Sequence, residues 1–212
     1  MRAVSTALIV IDMQRDFCAA GGYADRAGLD ITRLRAPIPA IQRLLDGARR
    51  HGLAIFHTRE GHRPDLADLP ESKRRRAECA GAPIGGQGPL GRLLVRGEYG
   101  HDLIDELQPL PGEPVIDKPG YSAFAHTDLE LMLRNRGIDE LIVTGVTTEV
   151  CVSSTLRSAV DLGFACTLVD DACGSAHATL HAAAVAMMAV EGGLFGRVLD
   201  SQDVLAEWEE RR

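Results

Sequence analysis

Three side chains in this sequence stand where chemistry can be done, each at or just past the end of an apolar run. Asp12 closes "ALIVID", Lys118 closes "PVIDK", and Cys151 lies in "TGVTTEVCVSST", directly after "ELIVTGV". A thiol is a nucleophile only as thiolate, and the first turn of a helix favours that form through its unpaired N–H groups and positive dipole end. A helix beginning near Thr148, with Val152, Leu156, Ala159 and Val160 on its apolar face, would put Cys151 there. The same N–H groups would hold an oxyanion forming on an attacked carbonyl. A carboxylate at the end of an apolar strand is costly unless it is paired or faces a cleft. In a cleft, Asp12 can take the thiol proton and later return it to a leaving amine. Lys118, ahead of the rigid Pro119-Gly120 turn, would lower the pKa of a nearby thiol and steady the carboxylate. Taken singly, each has an ordinary reading: a cysteine as a small buried hydrophobe, an aspartate as a cap or ion-pair partner, a lysine at the surface.

The elements around them argue that the three converge. Thr6–Asp12, Leu53–Arg59, Pro114–Lys118, Glu140–Val146, Ala165–Asp171 and Gly196–Asp200 read as strands. Several are continuous and β-branched with no polar alternation, as in strands covered on both faces, hence a parallel sheet. Between them lie helix patterns. "IPAIQRLLDGARRHG" carries Ile38, Ile41, Leu44, Leu45 and Ala48 on one stripe and stops at Gly52. "TDLELMLRNRG" has Thr127 as its cap, "HATLHAAAVAMMAVEGG" is alanine-rich, and "SQDVLAEWEERR" has Ser201 as its cap. The alternation predicts an α/β fold: an open, mostly parallel, six-stranded Rossmann-like sheet with helices on both faces, forming one domain over residues 1–212. Ligands in such sheets sit beyond the carboxyl ends of the strands, at the switch point. Asp12, Lys118 and Cys151 all fall on that edge. The stretch from Gly61 to Leu90, rich in Gly and Pro, reads as a long loop, and loops of that length are usually functional.

Composition narrows the class. The 212 residues suffice for a core without staples, and the net charge of −7 gives no general attraction to nucleic acid or anionic membrane. The basic cluster "SKRRR", Ser72–Arg76, reads as a solvated face or a pocket rim. The five cysteines form no CxxC pair, which suggests reduced thiols and a cytoplasmic location. Cys18, Cys79, Cys166 and Cys173 lack the setting of Cys151 and read as structural. "TALIVI" is too short to span a bilayer, and no signal peptide precedes it.

"ALIVIDMQRDFCAAGGY", "VIDKPGYSAF" and "VTGVTTEVCVSSTLRSAVDLGF" resemble the three signature regions of the isochorismatase-like cysteine hydrolases, in order, spacing and context over nearly the whole chain. The resemblance implies an Asp–Lys–Cys triad, here Asp12, Lys118 and Cys151. It also implies a cis peptide at Val146–Thr147 and an oxyanion hole made by the backbone N–H groups of Thr147 and Cys151. A homodimer or homotetramer is implied as well, with the alanine-rich helix a candidate contact.

Within the family, "HTREGHRPDLADLP", "GPLGRLLVRGEYG" and "VTTEVCV" look most like the biuret hydrolase branch, near the ureidoacrylate and triuret amidohydrolases. The implied substrates are small planar ureido-type amides, biuret giving allophanate and ammonia, with no cofactor. Phe17, Tyr23, Tyr121 and Phe124 are candidate flat walls. Glu191 stands where the branch carries a substrate-holding glutamine. A carboxylate only accepts hydrogen bonds, so Glu191 would suit a donor-rich group such as the guanidinium of guanylurea. Nicotinamidases hold a metal with an Asp-x-His and a further histidine. Here Glu60-Gly61-His62 imitates the first half, but Arg63 to Tyr99 contains no histidine, so no metal is expected and His57 and His62 read as strand-end or rim residues. An isochorismatase acting on a vinyl ether and a non-catalytic binding protein are the further alternatives. Cys151 weighs against the first and the intact triad against the second.

Overall fold

The computed structural model describes residues 5–210. Six strands form one sheet: β1 (Thr6–Ile11), β2 (Ala54–Glu60), β3 (Val115–Lys118), β4 (Glu140–Val146), β5 (Ala165–Gly174) and β6 (Arg197–Leu199). Their order is β3-β2-β1-β4-β5-β6, and every pairing is parallel. The expected α/β sheet is therefore present, and it is wholly parallel.

β1 shows why a continuous apolar run is required. Leu8 and Val10 enter the core on one face with Leu44 and Ile142. Ala7, Ile9 and Ile11 enter the other with Phe56, Leu141 and Val143. Successive side chains point to opposite faces, so a strand covered on both sides must be apolar at every position. Helices supply the cover. α1 (Ile38–Arg50) buries Ile38, Ile41, Leu44, Leu45 and Ala48, the stripe read from the sequence. α2 (Glu71–Cys79) lies within the segment read as a loop. α3 (Leu129–Asn135), α4 (Ser153–Asp161), α5 (Ala178–Met188) and α6 (Ser201–Glu210) follow. At α3 the residue in the cap position is Asp128 rather than Thr127, whose hydroxyl accepts from Leu129 N at 3.3 Å. At α6 the cap is Asp200 rather than Ser201. Its Oδ1 accepts from Gln202 N and Asp203 N at 2.9 Å each, while the Ser201 hydroxyl donates to Asp171.

Strand order reverses between β1 and β4, so the crevice of the sheet opens where these two strands end. Ile11 and Gly145 are paired there. Gly145 has φ +112°, and a Cβ on it would sit 2.1 Å from the Ile11 carbonyl oxygen. Only glycine satisfies both conditions.

Candidate active site

Asp12 follows β1 directly and adopts φ 52°, a left-handed conformation that aspartate tolerates better than most residues. That bend turns its fully buried carboxylate under the sheet edge. Thr58 Oγ1 donates to Oδ1 at 2.6 Å, and Lys118 Nζ lies 2.8 Å from Oδ2. Lys118, the last residue of β3, is also fully buried and donates to the Gly120 carbonyl at 3.0 Å. Its partner across the sheet is Glu60, the last residue of β2. The Glu60 carboxylate completes the cluster. Cys151 Sγ donates to its Oε2 at 3.2 Å, Lys118 Nζ lies 3.7 Å from the same oxygen, and Lys73 Nζ lies 2.5 Å from Oε1. Two carboxylates and two ammoniums thus stand buried in balance, the condition under which burying charge is tolerable.

Cys151 departs from expectation in one respect. Thr148–Val152 form a π-helical turn ahead of α4, so the thiol sits in that turn and not in the first turn of an α-helix. Such wide turns recur at functional sites, where they re-aim a side chain. The peptide bond Val146–Thr147 is cis.

The electrostatics divide the labour. Burial pushes the Asp12 pKa up, and the neighbouring Glu60 charge adds to this; Lys118 opposes both without cancelling them. Burial acts the same way on Glu60, but Lys118 and Lys73 outweigh it and hold that carboxyl below its ordinary range. Burial also raises the Cys151 pKa well above the ordinary thiol value; Lys118 lowers it, and Asp12 and Glu60 raise it further. Enclosure thus works against the thiolate that the sequence favours at Cys151, and the Lys118 ammonium works for it.

A cavity of ≈ 360 Å³ opens on the sulfur, lined by Phe17, Tyr23, Tyr121, Thr147, Glu149 and Cys151, with Lys73 and Arg76 on the wall from α2. Phe17 and Tyr23 meet edge to face at 6.0 Å, and Lys73 Nζ stands 4.9 Å over the Tyr121 ring. Burial raises the Tyr23 phenol to about 12, so it remains a neutral donor. Phe124 does not line this cavity; half-buried, it stacks on Phe164 at 5.9 Å against the core. Glu191 does not line it either. It is exposed, at φ 52°, in the kinked turn after α5. His57 and His62 are not rim residues but fully buried. His57 pairs with Glu113 at 3.2 Å and His62 with Asp68 at 3.3 Å.

Asp12, Glu60 and Cys151 offer ligand atoms within 4.8 Å of one another. Lys118 and Lys73, however, already neutralise both carboxylates at contact distance. Among the described residues this set does not fit a divalent cation.

Sequence reasoning missed the part played by Glu60 and Glu149; Lys73 and Arg76 fall in the Ser72–Arg76 cluster read as a solvated face or a pocket rim, and they line the cavity. Glu60 carried a usable signal: it ends a strand on the same edge as Asp12 and Lys118, and the rule that selected those two applies to it equally. Lys73, Arg76, Ala77 and Ala80 are spaced as one helical face and all line the cavity. That face was invisible while the segment read as a loop.

The isochorismatase domain family matches residues 6–203 of this chain. The chain belongs to the isochorismatase family. An isochorismatase family protein from Desulfovibrio vulgaris subsp. vulgaris str. Hildenborough is 30% identical, with a TM-score of 0.78 over 96% of this chain and 99% of its own. A cysteine hydrolase from Pseudomonas syringae pv. phaseolicola 1448A is 26% identical, with a TM-score of 0.83 over 100% of this chain and 96% of its own. A pyrazinamidase/nicotinamidase from Streptococcus mutans UA159 is 28% identical, with a TM-score of 0.70 over 92% and 100%. The isochorismatase-family fold thus frames the buried Asp12–Lys118–Glu60–Cys151 cluster. No helix among the described residues is long and apolar enough to cross a membrane.

Proposed function

We propose that this isochorismatase-family protein is a thiol-dependent amidohydrolase that cleaves a small linear ureido-type amide, biuret first among them, through a thioester intermediate. The observation that carries this reading is a thiol hydrogen-bonded to a carboxylate and backed by a buried ammonium, at the floor of an aromatic-walled cavity. Likeness to a cysteine hydrolase and to a pyrazinamidase/nicotinamidase agrees with amide chemistry.

Of the two carboxylates, Asp12 is the better proton carrier, because its pKa is raised while that of Glu60 is lowered. Asp12 takes the thiol proton as sulfur bonds to the carbamoyl carbon. The carbonyl oxygen gains the negative charge, which the N–H groups of Thr147 and Cys151 hold. Asp12 then gives its proton to the terminal nitrogen, the C–N bond breaks, and ammonia leaves. Water attacks the thioester with Asp12 again as base. Allophanate departs and the thiol regains its proton. Glu60 stays ionised throughout, fixing the thiol and both lysines.

The sequence reading gave a carboxylate acceptor for substrate N–H groups to Glu191; on this reading Glu149, in the cavity wall, takes that role. A ureido acid is a second reading. It is favoured by Arg76, which lines the cavity and makes no ion pair among the described residues. The oligomeric state is proposed to be a homodimer or homotetramer and the location cytoplasmic.

The test is ammonia release from biuret, triuret, guanylurea, ureidoacrylate and nicotinamide, for wild type and Cys151→Ser. Turnover of a ureido compound that vanishes in Cys151→Ser is expected. Preference for ureidoacrylate over biuret would favour the second reading. Activity on nicotinamide alone, or activity retained without the thiol, would sink the proposal.

A further inference from the structure

Outside the site stands a second set of side chains that nothing above uses. His181 projects from α5 and is held at both ring nitrogens. Its Nε2 lies 2.8 Å from Asp170 Oδ1, on β5, and its Nδ1 lies 2.9 Å from Thr148 Oγ1. A carboxylate can only accept, so Nε2 carries the proton toward Asp170. In the neutral ring Nδ1 then accepts from the Thr148 hydroxyl. Thr148 is 1% exposed and is the first residue of the π-helical turn that ends at Val152. The residue before it, Thr147, anchors the same turn: its carbonyl accepts from both Val150 N and Val152 N at 3.1 Å. The turn therefore hangs from two adjacent residues, one tied to its own backbone and the other to a different strand through an imidazole.

We infer that His181 is a positioning residue, which with Asp170 braces Thr148 and so sets the turn that carries Cys151 and the cavity-lining Thr147. Asp170 lies on β5 between Leu168 and Cys173, both paired to β4, and one residue past Val169, paired to β6. The imidazole thus links the turn to the central sheet. An error of about 1 Å in reacting-group placement can cost up to about a hundredfold in rate. This rests on Cys151 as the nucleophile, although Asp170, His181 and Thr148 are not themselves reacting groups.

The test uses pairs of variants in the full chain, with biuret as substrate and iodoacetamide as a probe of Cys151. An asparagine at 181 keeps at most the contact to Thr148, and a glutamine only the contact to Asp170, so each cuts the link between β5 and the turn. The brace predicts that His181→Asn, His181→Gln and Thr148→Val each lower kcat about tenfold with KM changed less than about threefold. Thr148→Ser, which keeps the hydroxyl, should stay near wild type. Well below the melting temperature, alkylation of Cys151 should rise at least about threefold in the first three and not in Thr148→Ser, because a loosened turn uncovers the sulfur. Equal behaviour of Thr148→Val and Thr148→Ser, or near-wild-type turnover and alkylation in both His181 variants, would overturn the brace. Should wild type leave biuret untouched, the alkylation comparison decides the matter alone. Should Cys151→Ser turn over biuret, the nucleophile assignment fails, and the variant pairs still report on the turn.

Discussion

Cys151 and Cys173 make an instructive pair. Both are buried cysteines at the carboxyl edge of the sheet, one in the turn after β4 and the other near the end of β5. Each lines a cavity of similar size, ≈ 360 Å³ and ≈ 390 Å³. Each has its thiol pushed up in pKa by burial. They differ in what stands behind the sulfur. Cys151 donates to Glu60, with Lys118 at contact distance from Glu60 and from Asp12. The Cys173 thiol points to the Val143 carbonyl at 3.7 Å, which can neither take its proton nor return it. Its cavity brings Asp170, Asp171 and Asp200 with Arg33, and among the described residues no buried ammonium. Edge position and burial are thus common to both, and a proton acceptor paired with a fixed cation is what sets Cys151 apart as the proposed nucleophile.

The largest expected effect is the separation of the two thiols. Cys151→Ala should lower amide hydrolysis by about 10⁴-fold or more, as loss of a nucleophile does. Cys173→Ala should leave kcat/KM within a few-fold and cost about 1 kcal/mol of stability. Comparable losses in both would erase the distinction. Next comes Glu60→Gln, which removes the anion that orders the thiol and both lysines. A drop in kcat of about 10²-fold is expected. Near-wild-type turnover would mean that Asp12 and Lys118 suffice. Third is the pH dependence of Cys151 alkylation. A thiol pKa raised well above the ordinary value means that the thiolate fraction, and hence the iodoacetamide rate, climbs about tenfold per pH unit through pH 9. A plateau at neutral pH would show a standing thiolate instead. The smallest effect belongs to Glu191→Gln. With the side chain exposed and outside the cavity, KM should move less than about twofold.

The fold was legible because its signals are local and repeated. Undiluted apolar strands alternate with striped helices, and the switch-point rule then places Asp12, Lys118 and Cys151 on one edge. The site was legible only where a residue sits next to such an element. Lys73 reaches Glu60 from a helix of low hydrophobicity inside a Gly- and Pro-rich segment, where charge hid the pattern. The π-helical turn has the same composition as the start of an ordinary helix. Phe124 lies within a signature region and Glu191 stands where the resembled branch carries a glutamine, but stacking on Phe164 and a left-handed turn carry them elsewhere. The resting state of the thiol depends on how fully the sulfur is enclosed, which no spacing in the chain encodes.

The pairing of Glu60 with Lys118 across β2 and β3 has a consequence for how this protein can be assayed. A shift of one residue between these strands would send one of the two side chains to the opposite face and empty the cluster of either its anion or its cation. Helical content and compactness would survive such a slip. On the proposed activity, recovered turnover after denaturation counts molecules whose strands have found their native alignment, and the buried cluster serves as a ruler for the sheet that holds it.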